Sequence, residues 1–510
     1  MKTFIILTIV FLSHFQSDAK ILDVNHLNKT FLNSTQLSSI KEKPQWIAKD
    51  NWLNDLSKAE LKKMLGAEAP NTDVEFIHSS KELAMTLPVS IDWRNKDGKN
   101  WVSPIMNQGS CGSCVAFASI GTLETQINIS SFLPSLNLQL SPQHLFACGG
   151  GACSYGWMPE SAAKFLKKKG VVDESCMPYS SGVTGEDVSC QSTCSDSSKR
   201  VLRITDYHRP TQFFKSPSSV KKALLNGPLV TTMKVYEDFL VYSQGIYKHA
   251  SGGALGGHAV SLVGYDDAKG AFLIRNSWGE SWGEKGFAYM DYEDSSGIGN
   301  ATWSYEVDKG MKVISIEYPR NNDFVSDSVE FSSQSNQNDI QNVVYSLIDN
   351  SGRIVSETKT AEKALAVTVD SSTLPDGKYN VVARAYDILN QLLVTSKPQY
   401  FYVVNHEPEL KISFKGYQVD LNKDIKGRIE LQVFAESNSV PMNSLEFHFK
   451  DESGNETVRT TDYVAEEMRL GWRTGQLKNG KYSIWLVGKV NTNKIKAQVK
   501  TEPLLVTLNN

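Results

Sequence analysis

The chain has 510 residues, of which 40% are hydrophobic and 21% are charged. This ordinary globular composition suits about three to four domains of roughly 150 residues each, and it excludes a disordered, collagen-like or coiled-coil protein. The 53 basic and 56 acidic side chains give a formal net charge of −3. So small a charge imbalance gives no basic signature for binding nucleic acid or an anionic membrane.

The first residues have the pattern of an export signal. Met1-Lys2 precedes an apolar run from Phe4 to Leu12, and Ser17-Asp18-Ala19 supplies small residues at the offsets of a cleavage site. We expect residues 1–19 to be a signal peptide, although a buried N-terminal strand is the alternative. The mature protein would then be secreted into an extracellular, periplasmic, or lysosome- or vacuole-like space. No later segment has 18 consecutive apolar residues, so we expect no membrane span.

Residues 20–86 are polar and contain one clear helix signal. Ser57 to Glu60 is a capping box, and Gly66 is placed to end the helix. The apolar face of this helix consists of Leu61, Met64 and Leu65. Because such a face must dock on a surface, we predict that residues 20–86 form a pro-segment.

Residues 87–317 have a mixed helix and strand pattern. The predicted helices are Cys114 to Ile127, a helix after Ser141-Pro142, Pro159 to Gly170, and Ser218 to Asn226. The predicted strands are Leu229 to Val235, His258 to Tyr265, Ala271 to Ile274, Phe287 to Tyr292, and Met311 to Ile316.

Beyond residue 318 only short alternating runs with regular turn residues remain, which is typical of β-sandwich modules. Residues 374–379 (LPDGKY) match residues 477–482 (LKNGKY), and residues 349–352 (DNSG) match residues 451–454 (DESG), at offsets of 103 and 102. Chance turn chemistry is the alternative explanation. We predict two copies of one module, residues 318–405 and 406–510, which resemble immunoglobulin-like or fibronectin type III-like repeats.

All seven cysteines lie between Cys111 and Cys194. An odd number confined to one region indicates three disulfides and one special thiol, or else a metal site. No histidine cluster with zinc-ligand spacing accompanies them, so we expect neither a metal nor a cofactor.

Cys114 is the candidate nucleophile. It stands at the start of a predicted helix, where unpaired N–H groups and the helix dipole favour a thiolate. Cys111 and Cys114 also have the spacing of a redox Cys-x-x-Cys pair. That motif belongs at the end of a strand in a thioredoxin-like unit, and the sequence upstream, which contains Pro104, does not fit one.

A thiolate needs a base, and His258 supplies one. It opens an apolar strand 144 residues after Cys114, within the roughly 130–150 residues typical of such a pair, although a lone histidine is more often structural. Asn276 follows, 162 residues after Cys114. Its amide oxygen can accept the imidazole N–H and fix the tautomer, and Trp278 can shield that hydrogen bond from water.

These residues carry a resemblance to the papain-like cysteine peptidases of the cathepsin class. Three blocks match the family in order: Gln108 with Cys114, residues 257–260 (GHAV), and residues 276–283 (NSWGESWG). The resemblance covers about 230 residues. It implies an α+β fold with a helical lobe and a β-barrel lobe, followed here by the two all-β modules.

The resemblance implies a role for each matched residue. Cys114 would attack the scissile carbonyl, His258 would pair with it and protonate the leaving amine, and Asn276 would orient His258. The Gln108 amide and the Cys114 backbone N–H would form the oxyanion hole. The resemblance further implies substrate contacts from Gly156, Trp157, Thr232, Ala259 and Trp278. It also suggests the disulfides Cys111–Cys153, Cys148–Cys190 and Cys176–Cys194, with Cys114 free.

The sequence departs from the family pattern at the wall of the cleft. Val115 stands where the family usually has Trp, and Ser154-Tyr155 replaces the usual Asn-Gly. The stretch from Cys176 to Cys194 lacks the His-His insertion that makes cathepsin B an exopeptidase, so we expect an endopeptidase. The pro-segment resembles the short cathepsin B type, through Trp46, Ala48 and Leu65-Gly66, and is expected to block Cys114 until it is cleaved near Leu87.

Two other functions remain open at this stage. A decayed peptidase domain could serve as a non-catalytic binding or adhesion scaffold, or the same thioester chemistry could serve a transpeptidase or ligase. The expected partners are protein or peptide substrates and the pro-segment as intramolecular inhibitor. The role of the two C-terminal modules is open between binding carbohydrate or cell wall, binding a protein, and acting as spacers.

Overall fold

The computed structural model describes residues 21–22, 45–49, 51–56, 58–68, 87–134, 136–211, 216–417, 428–461, 467–473, 477–492 and 495–509. The predicted signal peptide and Ser57 of the predicted capping box lie outside these residues. Within the described residues, no helix is both long enough and apolar enough to cross a bilayer.

The helices lie in the first half of the chain. They are α1 (Lys58–Met64), α2 (Cys114–Ser131), α3 (Pro142–Gly149), α4 (Pro159–Lys168), α5 (Ser181–Thr184), α6 (Ser197–Arg200) and α7 (Pro217–Leu224), with 3-10 turns at Trp52–Asp55, Cys190–Ser192 and Glu237–Val241. Proline occupies a first-turn position in α3, α4 and α7. Ser141 caps α3 by accepting the His144 N–H at 2.9 Å, which satisfies one of the unpaired donors at the helix start.

One large sheet accompanies these helices. Its strands are β1 (Ile21–Leu22), β2 (Trp46–Lys49), β3 (Ser90–Asp92), β4 (Asp206–His208), β5 (Leu229–Tyr236), β6 (Tyr242–Tyr247), β7 (Ala254–Asp266), β8 (Ala271–Arg275), β9 (Phe287–Asp291) and β10 (Thr302–Glu306). The strand order is β1-β2-β6-β9-β8-β7-β5-β10-β4, with β3 paired to β7. The N-terminal segment therefore contributes β1 and β2 to one end of the sheet.

Helix α2 is buried on nearly every side. It packs against β7 and helices α3 and α4. Small and polar residues such as Ser119, Thr122 and Asn128 are therefore buried along with the apolar ones. Most of their polar atoms are hydrogen-bonded: the Thr122 hydroxyl donates to Ser261 at 3.0 Å, the Ser119 hydroxyl accepts from Tyr305 at 3.0 Å, and the Asn128 amide nitrogen donates to the Trp101 carbonyl at 2.8 Å.

The second half of the chain is built from strands. They are β11 (Ile314–Tyr318), β12 (Phe324–Val325), β13 (Ser328–Ser335), β14 (Asn342–Ile348), β15 (Ile354–Lys359), β16 (Ala366–Asp370), β17 (Gly377–Tyr386), β18 (Leu392–Thr395), β19 (Gln399–Val403), β20 (Leu410–Tyr417), β21 (Arg428–Ser437), β22 (Ser444–Asp451), β23 (Glu456–Thr461), β24 (Glu467–Arg473), β25 (Gly480–Asn491), β26 (Lys496–Lys500) and β27 (Leu504–Leu508). The sheet β11-β13-β16 and the sheet β12-β19-β17-β14-β15 enclose one core, and β20-β21-β24 and β23-β22-β25-β26 enclose another.

Strand β11 belongs to the C-terminal half. It pairs with β13, and Ile314 and Ile316 lie in the core shared by strands β11 to β19, which we call the first β unit; strands β20 to β27 form the second. The boundary expected after residue 317 therefore falls inside the strand Ile314–Tyr318. The run Met311 to Ile316 alternates like the earlier strands, so its own pattern does not reveal which sheet it joins.

The two matched turns have the same geometry. Gly377 and Gly480 begin β17 and β25 with φ of 148° and 143°. Tyr379 donates its hydroxyl to the Pro375 carbonyl at 2.9 Å, and Tyr482 donates to the Lys478 carbonyl at 3.1 Å. Each strand pairs with the equivalent neighbours, β14 and β19 in one unit and β22 and β27 in the other.

The first β unit is docked on the helical part of the chain. Gln399 is almost fully buried, and its side-chain amide donates to the carbonyls of Asn137 at 3.1 Å and Ile316 at 2.9 Å. Lys397 donates to the Arg200 carbonyl. A further apolar cluster joins the two β units, because Val404 packs in one core with Met442 and Val490.

Candidate active site

Cys114 is the first residue of α2 and is fully buried. Among the described residues it is the one cysteine outside a disulfide. The structure contains the bridges Cys111–Cys153, Cys148–Cys190 and Cys176–Cys194. The first of them fixes the turn before α2, where a Cβ on Gly112 would lie 2.9 Å from the Cys153 carbonyl oxygen. Only glycine fits this close approach.

His258 and Asn276 meet although they lie on different strands. His258 is in β7 and Asn276 follows β8, and the pairing of these strands brings His258 Nε2 within 2.8 Å of Asn276 Oδ1. Asn276 Oδ1 also accepts the Ser277 N–H at 2.8 Å, which identifies this atom as the oxygen. His258 Nε2 must therefore carry the proton, so its Nδ1 presents a lone pair.

The His258 ring is held in one orientation. The Trp278 indole stacks on it, with centroids 4.7 Å apart and planes 27° apart. His258 Nδ1 is buried without a hydrogen-bond partner among the described residues. A buried, correctly oriented acceptor of this kind is suited to taking a proton from a neighbouring thiol.

The thiol lies beside the residue that follows His258. The backbone N–H groups of Ala259 and Gly66 lie beside the Cys114 thiol, and both lower its pKa and so favour a thiolate. Burial has the larger effect and raises the Cys114 pKa to about 11. Burial also lowers the His258 pKa to about 4, against the opposing effect of the hydrogen bond to Asn276. In this covered state both groups are neutral near pH 7.

Gln108 is buried next to this pair and is held by Ser277. Its backbone N–H donates to the Ser277 carbonyl at 2.9 Å, and its Oε1 accepts the Ser277 hydroxyl at 2.6 Å. The amide nitrogen therefore points the other way, where it donates to Cys111 O at 2.9 Å and Met64 O at 3.0 Å. This nitrogen is a fixed donor in the site that contains Cys114.

The N-terminal segment runs through the site. The Gly66 carbonyl accepts the Trp157 N–H at 2.7 Å, and the Ala67 N–H donates to the Gly257 carbonyl at 3.1 Å. A Cβ on Gly156 would lie 1.8 Å from the Gly66 carbonyl oxygen, and a Cβ on Gly66 would lie 2.0 Å from that of Gly112. The glycine expected to end α1 therefore serves a second purpose, because the chain could not otherwise enter the cleft.

The five expected substrate-contact residues lie near the segment or near His258. Gly156 and Trp157 adjoin Gly66 and Ala67 on one side. Thr232 pairs with Ala259 across β5 and β7, and Trp278 covers His258. Val115, where the resemblance had suggested doubt, is fully buried in the core of the helical part.

Two further residues of the site, Ser277 and Tyr179, were not predicted from the sequence. Ser277 orients Gln108, and its position between Asn276 and Trp278 was the available signal. Tyr179 donates its hydroxyl to the Gln108 carbonyl at 2.7 Å, lies 2.7 Å from Ser113 Oγ, and packs edge-on against Phe117. No local pattern marked Tyr179, because its side-chain contacts with Gln108, Ser113 and Phe117 are 62 or more positions away in the sequence.

The chain is similar in sequence to known cysteine proteases. The sequence profile described as papain family cysteine protease matches residues 87–306. "Cathepsin B-like CP3" of Giardia intestinalis is 32% identical over 275 residues, covering 52% of this chain and 86% of that protein. "Pro-cathepsin H" of Mus musculus is 33% identical over 257 residues, covering 47% of this chain and 71% of that protein.

Among solved structures, "proCathepsin B S9 from Trypanosoma congolense" is 23% identical, with a TM-score of 0.44, and covers 56% of this chain and 97% of that one. The two curated relatives match about half of this chain and most of their own length. The chain therefore belongs to the papain family of cysteine proteases and is a cysteine-type peptidase.

Proposed function

We propose that the protein is a secreted endopeptidase made as an inactive zymogen. Cys114 attacks the scissile carbonyl to form a thioester acyl-enzyme, and His258 removes the thiol proton and returns it to the leaving amine. Asn276 holds His258 in the required tautomer. The Gln108 amide and the Cys114 backbone N–H bind the oxyanion, and such a donor is worth about 100- to 1,000-fold in rate.

The observation that carries this proposal is the position of Met64 and Gly66. A cleavable substrate must place one carbonyl at the thiol and at the oxyanion donor together. Here the carbonyl that accepts from the Gln108 side-chain amide is that of Met64, whereas the group beside the Cys114 thiol is the Gly66 N–H. Residues 58–68 therefore fill the site without presenting a bond for attack.

Main-chain pairing and side-chain contacts hold this segment in the site. Ala67 pairs with Trp157 in the parallel sense and with Gly257 in the antiparallel sense. Helix α1 is also held at both ends. Lys58 forms a salt bridge with Glu237 at 2.8 Å, and Lys63 donates a hydrogen bond to the Gly185 carbonyl. We propose that residues 20–86 inhibit the enzyme until cleavage near Leu87.

Removing this segment changes the electrostatics of the pair. With the cover gone, water reaches Cys114 and His258, and the burial that raises one pKa and lowers the other is relieved. The thiolate and imidazolium can then form, which makes Cys114 nucleophilic. The segment therefore blocks the site and keeps Cys114 protonated by the same burial.

Substrate side chains are proposed to contact Gly156, Trp157, Thr232, Ala259 and Trp278. The Ala67 methyl group packs against the cluster that contains Trp157 and Ala259, which supports an apolar pocket there. The absence of a His-His insertion between Cys176 and Cys194 favours internal cleavage of long chains.

We propose that the C-terminal half is two immunoglobulin-like modules. The matched pairing around β17 and β25 and the repeated Tyr379 and Tyr482 contacts support two copies. The proposed domains are 1–19, 20–86, 87 to about 313, about 314 to 405, and 406–510. The export pattern at residues 1–19 and the three disulfides support a secreted or lysosome-like location.

The decisive experiment treats protein freed of residues 20–86 with an epoxysuccinyl thiol inhibitor and measures intact mass. We expect one adduct, mapped to Cys114 and lost in His258→Ala. No adduct on the folded wild-type protein would overturn the proposal and favour a binding scaffold. Product masses from peptide mixtures would separate hydrolysis from ligation.

A further inference from the structure

The outer edge of strand β6 is covered by the N-terminal segment. Strand β2 pairs with it in the antiparallel sense, with Trp46 opposite Gly245 and Ile47 opposite Gln244. The Ile246 N–H donates to the Gln45 carbonyl at 3.1 Å. On its other side β6 pairs with β9. Strand β6 therefore has two neighbouring strands, and the N-terminal segment supplies one of them.

A pocket for one large side chain adjoins this edge. The Trp46 side chain is almost fully buried between Tyr242 and Tyr247, with ring centroids 6.2 Å and 5.4 Å away. Its indole N–H donates to the Lys248 carbonyl at 3.1 Å. Main-chain pairing and a side-chain pocket together form a complete site for an extended peptide.

Gly245 adapts β6 to a close neighbour. Its φ is +97°, and a Cβ there would lie 2.4 Å from the Gln45 carbonyl oxygen. Any other residue would be strained and would push the paired strand away. This edge is therefore shaped for the approach of another main chain.

Cleavage near Leu87 would uncover this edge if the segment then leaves, so the following step rests on the proposed function. Strand β6 would become the last strand of the sheet, with unpaired main-chain groups beside a pocket lined by Tyr242 and Tyr247. Such an edge readily accepts another extended chain.

We infer that the trimmed enzyme uses this edge as a second peptide-binding site, for an extended segment of its protein substrates with an aromatic side chain at the Trp46 position. The site is continuous with the cleft. From Trp46 the N-terminal segment passes Trp52, whose indole donates to the Trp278 carbonyl at 2.9 Å, and reaches Cys114 at Gly66. One polypeptide can therefore occupy the edge and the cleft together.

The binding test uses Cys114→Ala protein from which an added protease has removed residues 20–86. The probe is a fluorescent peptide with the sequence of residues 45–51 (QWIAKDN), followed by anisotropy. We expect saturable binding, a loss of affinity of at least about tenfold for the peptide with Trp46→Ala, and unchanged binding for Lys49→Ala, since Lys49 is exposed. The untrimmed protein should not bind, because its own segment fills the site.

The kinetic test uses trimmed wild-type enzyme. The unsubstituted peptide of residues 45–51 should slow digestion of a denatured protein while leaving hydrolysis of a short peptide unchanged. The Trp46→Ala peptide should affect neither reaction. Absence of saturable binding, or equal binding of both peptides, would overturn the inference. Inhibition of the short-peptide reaction would also overturn it, by placing the peptide in the cleft.

If the trimmed enzyme dimerises through β6, this edge belongs to a second copy, and the inference is overturned as well. Analytical ultracentrifugation of the trimmed protein detects such a dimer by its sedimentation. Because binding is measured on Cys114→Ala protein, it does not depend on catalysis. A failed epoxysuccinyl reaction with intact peptide binding would refute only the proposed activity, and the reverse result would refute only the second site.

Discussion

The side-chain amide of Gln108 donates to the main-chain carbonyl of Met64 at 3.0 Å, across 44 positions of sequence. This contact joins the candidate oxyanion donor to the segment that covers it. The same amide is oriented from behind by the Ser277 hydroxyl. The donor is therefore preorganised before any substrate is present, which is the condition for strong stabilisation of a developing negative charge.

The roles of the three central residues predict a hierarchy of losses. Cys114→Ala and His258→Ala should each abolish peptide hydrolysis by trimmed enzyme while preserving its circular dichroism spectrum. Asn276→Ala should cost less than the roughly 100- to 10,000-fold that a general base supplies, since Trp278 still holds the ring. Equal losses in Asn276→Ala and His258→Ala would contradict this division of roles.

Ser277 is predicted to act through Gln108. Gln108→Ala should lower kcat by about 100- to 1,000-fold. Ser277→Ala should lower kcat by a smaller factor, because the Gln108 amide is retained but no longer fixed. The double variant should be no worse than Gln108→Ala alone, and additive losses measured by steady-state kinetics would show that Ser277 acts independently.

Thiol reactivity should depend on pH and on the N-terminal segment. In the untrimmed protein the Cys114 pKa of about 11 keeps the thiol protonated, so alkylation by iodoacetamide should be slow at neutral pH and should rise toward pH 11. Trimming should move this rise to lower pH, as burial is relieved. Identical profiles before and after trimming would refute the silencing role of the segment.

Glu174 predicts a pH-dependent stability. Burial raises its pKa to about 8 against the opposing effect of the hydrogen bond from the Tyr179 N–H, and the charges of Glu124 and Asp173 raise this pKa further. The unfolded chain ionises this carboxyl near pH 4.5, whereas the folded chain keeps it protonated to about pH 8. Stability is therefore lost as pH rises through this window and stays low above it.

Glu174→Gln should remove that loss. At pH 8 we expect the variant to have a higher melting temperature than wild type and a free energy of unfolding that is larger by on the order of 4 kcal/mol or less. Near pH 4.5 we expect little difference. The amide oxygen can still accept the Tyr179 N–H. Glu452→Gln, at an exposed turn, is the control and should change neither value. A pH-independent effect of Glu174→Gln would refute the buried titration.

The docking of the first β unit predicts a stability effect without a catalytic one. Gln399→Ala leaves the carbonyls of Asn137 and Ile316 without this donor, and should destabilise the protein by about 1–3 kcal/mol in thermal unfolding. Hydrolysis of a short peptide at low temperature should persist. Gln391→Ala, at an exposed turn, should have no effect. Loss of activity in folded Gln399→Ala would show that this unit supports the cleft.

Truncations should follow the proposed unit boundary before Ile314. Ending the chain before Ile314 removes the whole first β unit, whereas ending it at residue 319 leaves β11 without β13. The shorter protein should therefore be the more soluble one, with short-peptide hydrolysis retained. This result would be measured by the soluble fraction and by turnover per active site.

Much of the architecture was accessible from local chemistry. Ser141-Pro142 predicted a helix start because a hydroxyl cap and a fixed φ act within one turn. The turns before Tyr379 and Tyr482 were recognisable because residues a few positions apart build them. The blocks around Cys114, His258 and Asn276 indicated the reaction, since the chemistry requires those residue types.

Only the tertiary structure decided which distant groups meet. The Gly66 N–H reaches Cys114, Ser277 fixes Gln108, and β11 joins the module after it. Each depends on the path of the whole chain. By itself, the sequence determined the helix caps, the turns and the reactive residue types, because these are set by neighbours along the chain. Burial and long-range hydrogen bonding, which silence the thiol in the covered enzyme, arise only when segments far apart in sequence pack together.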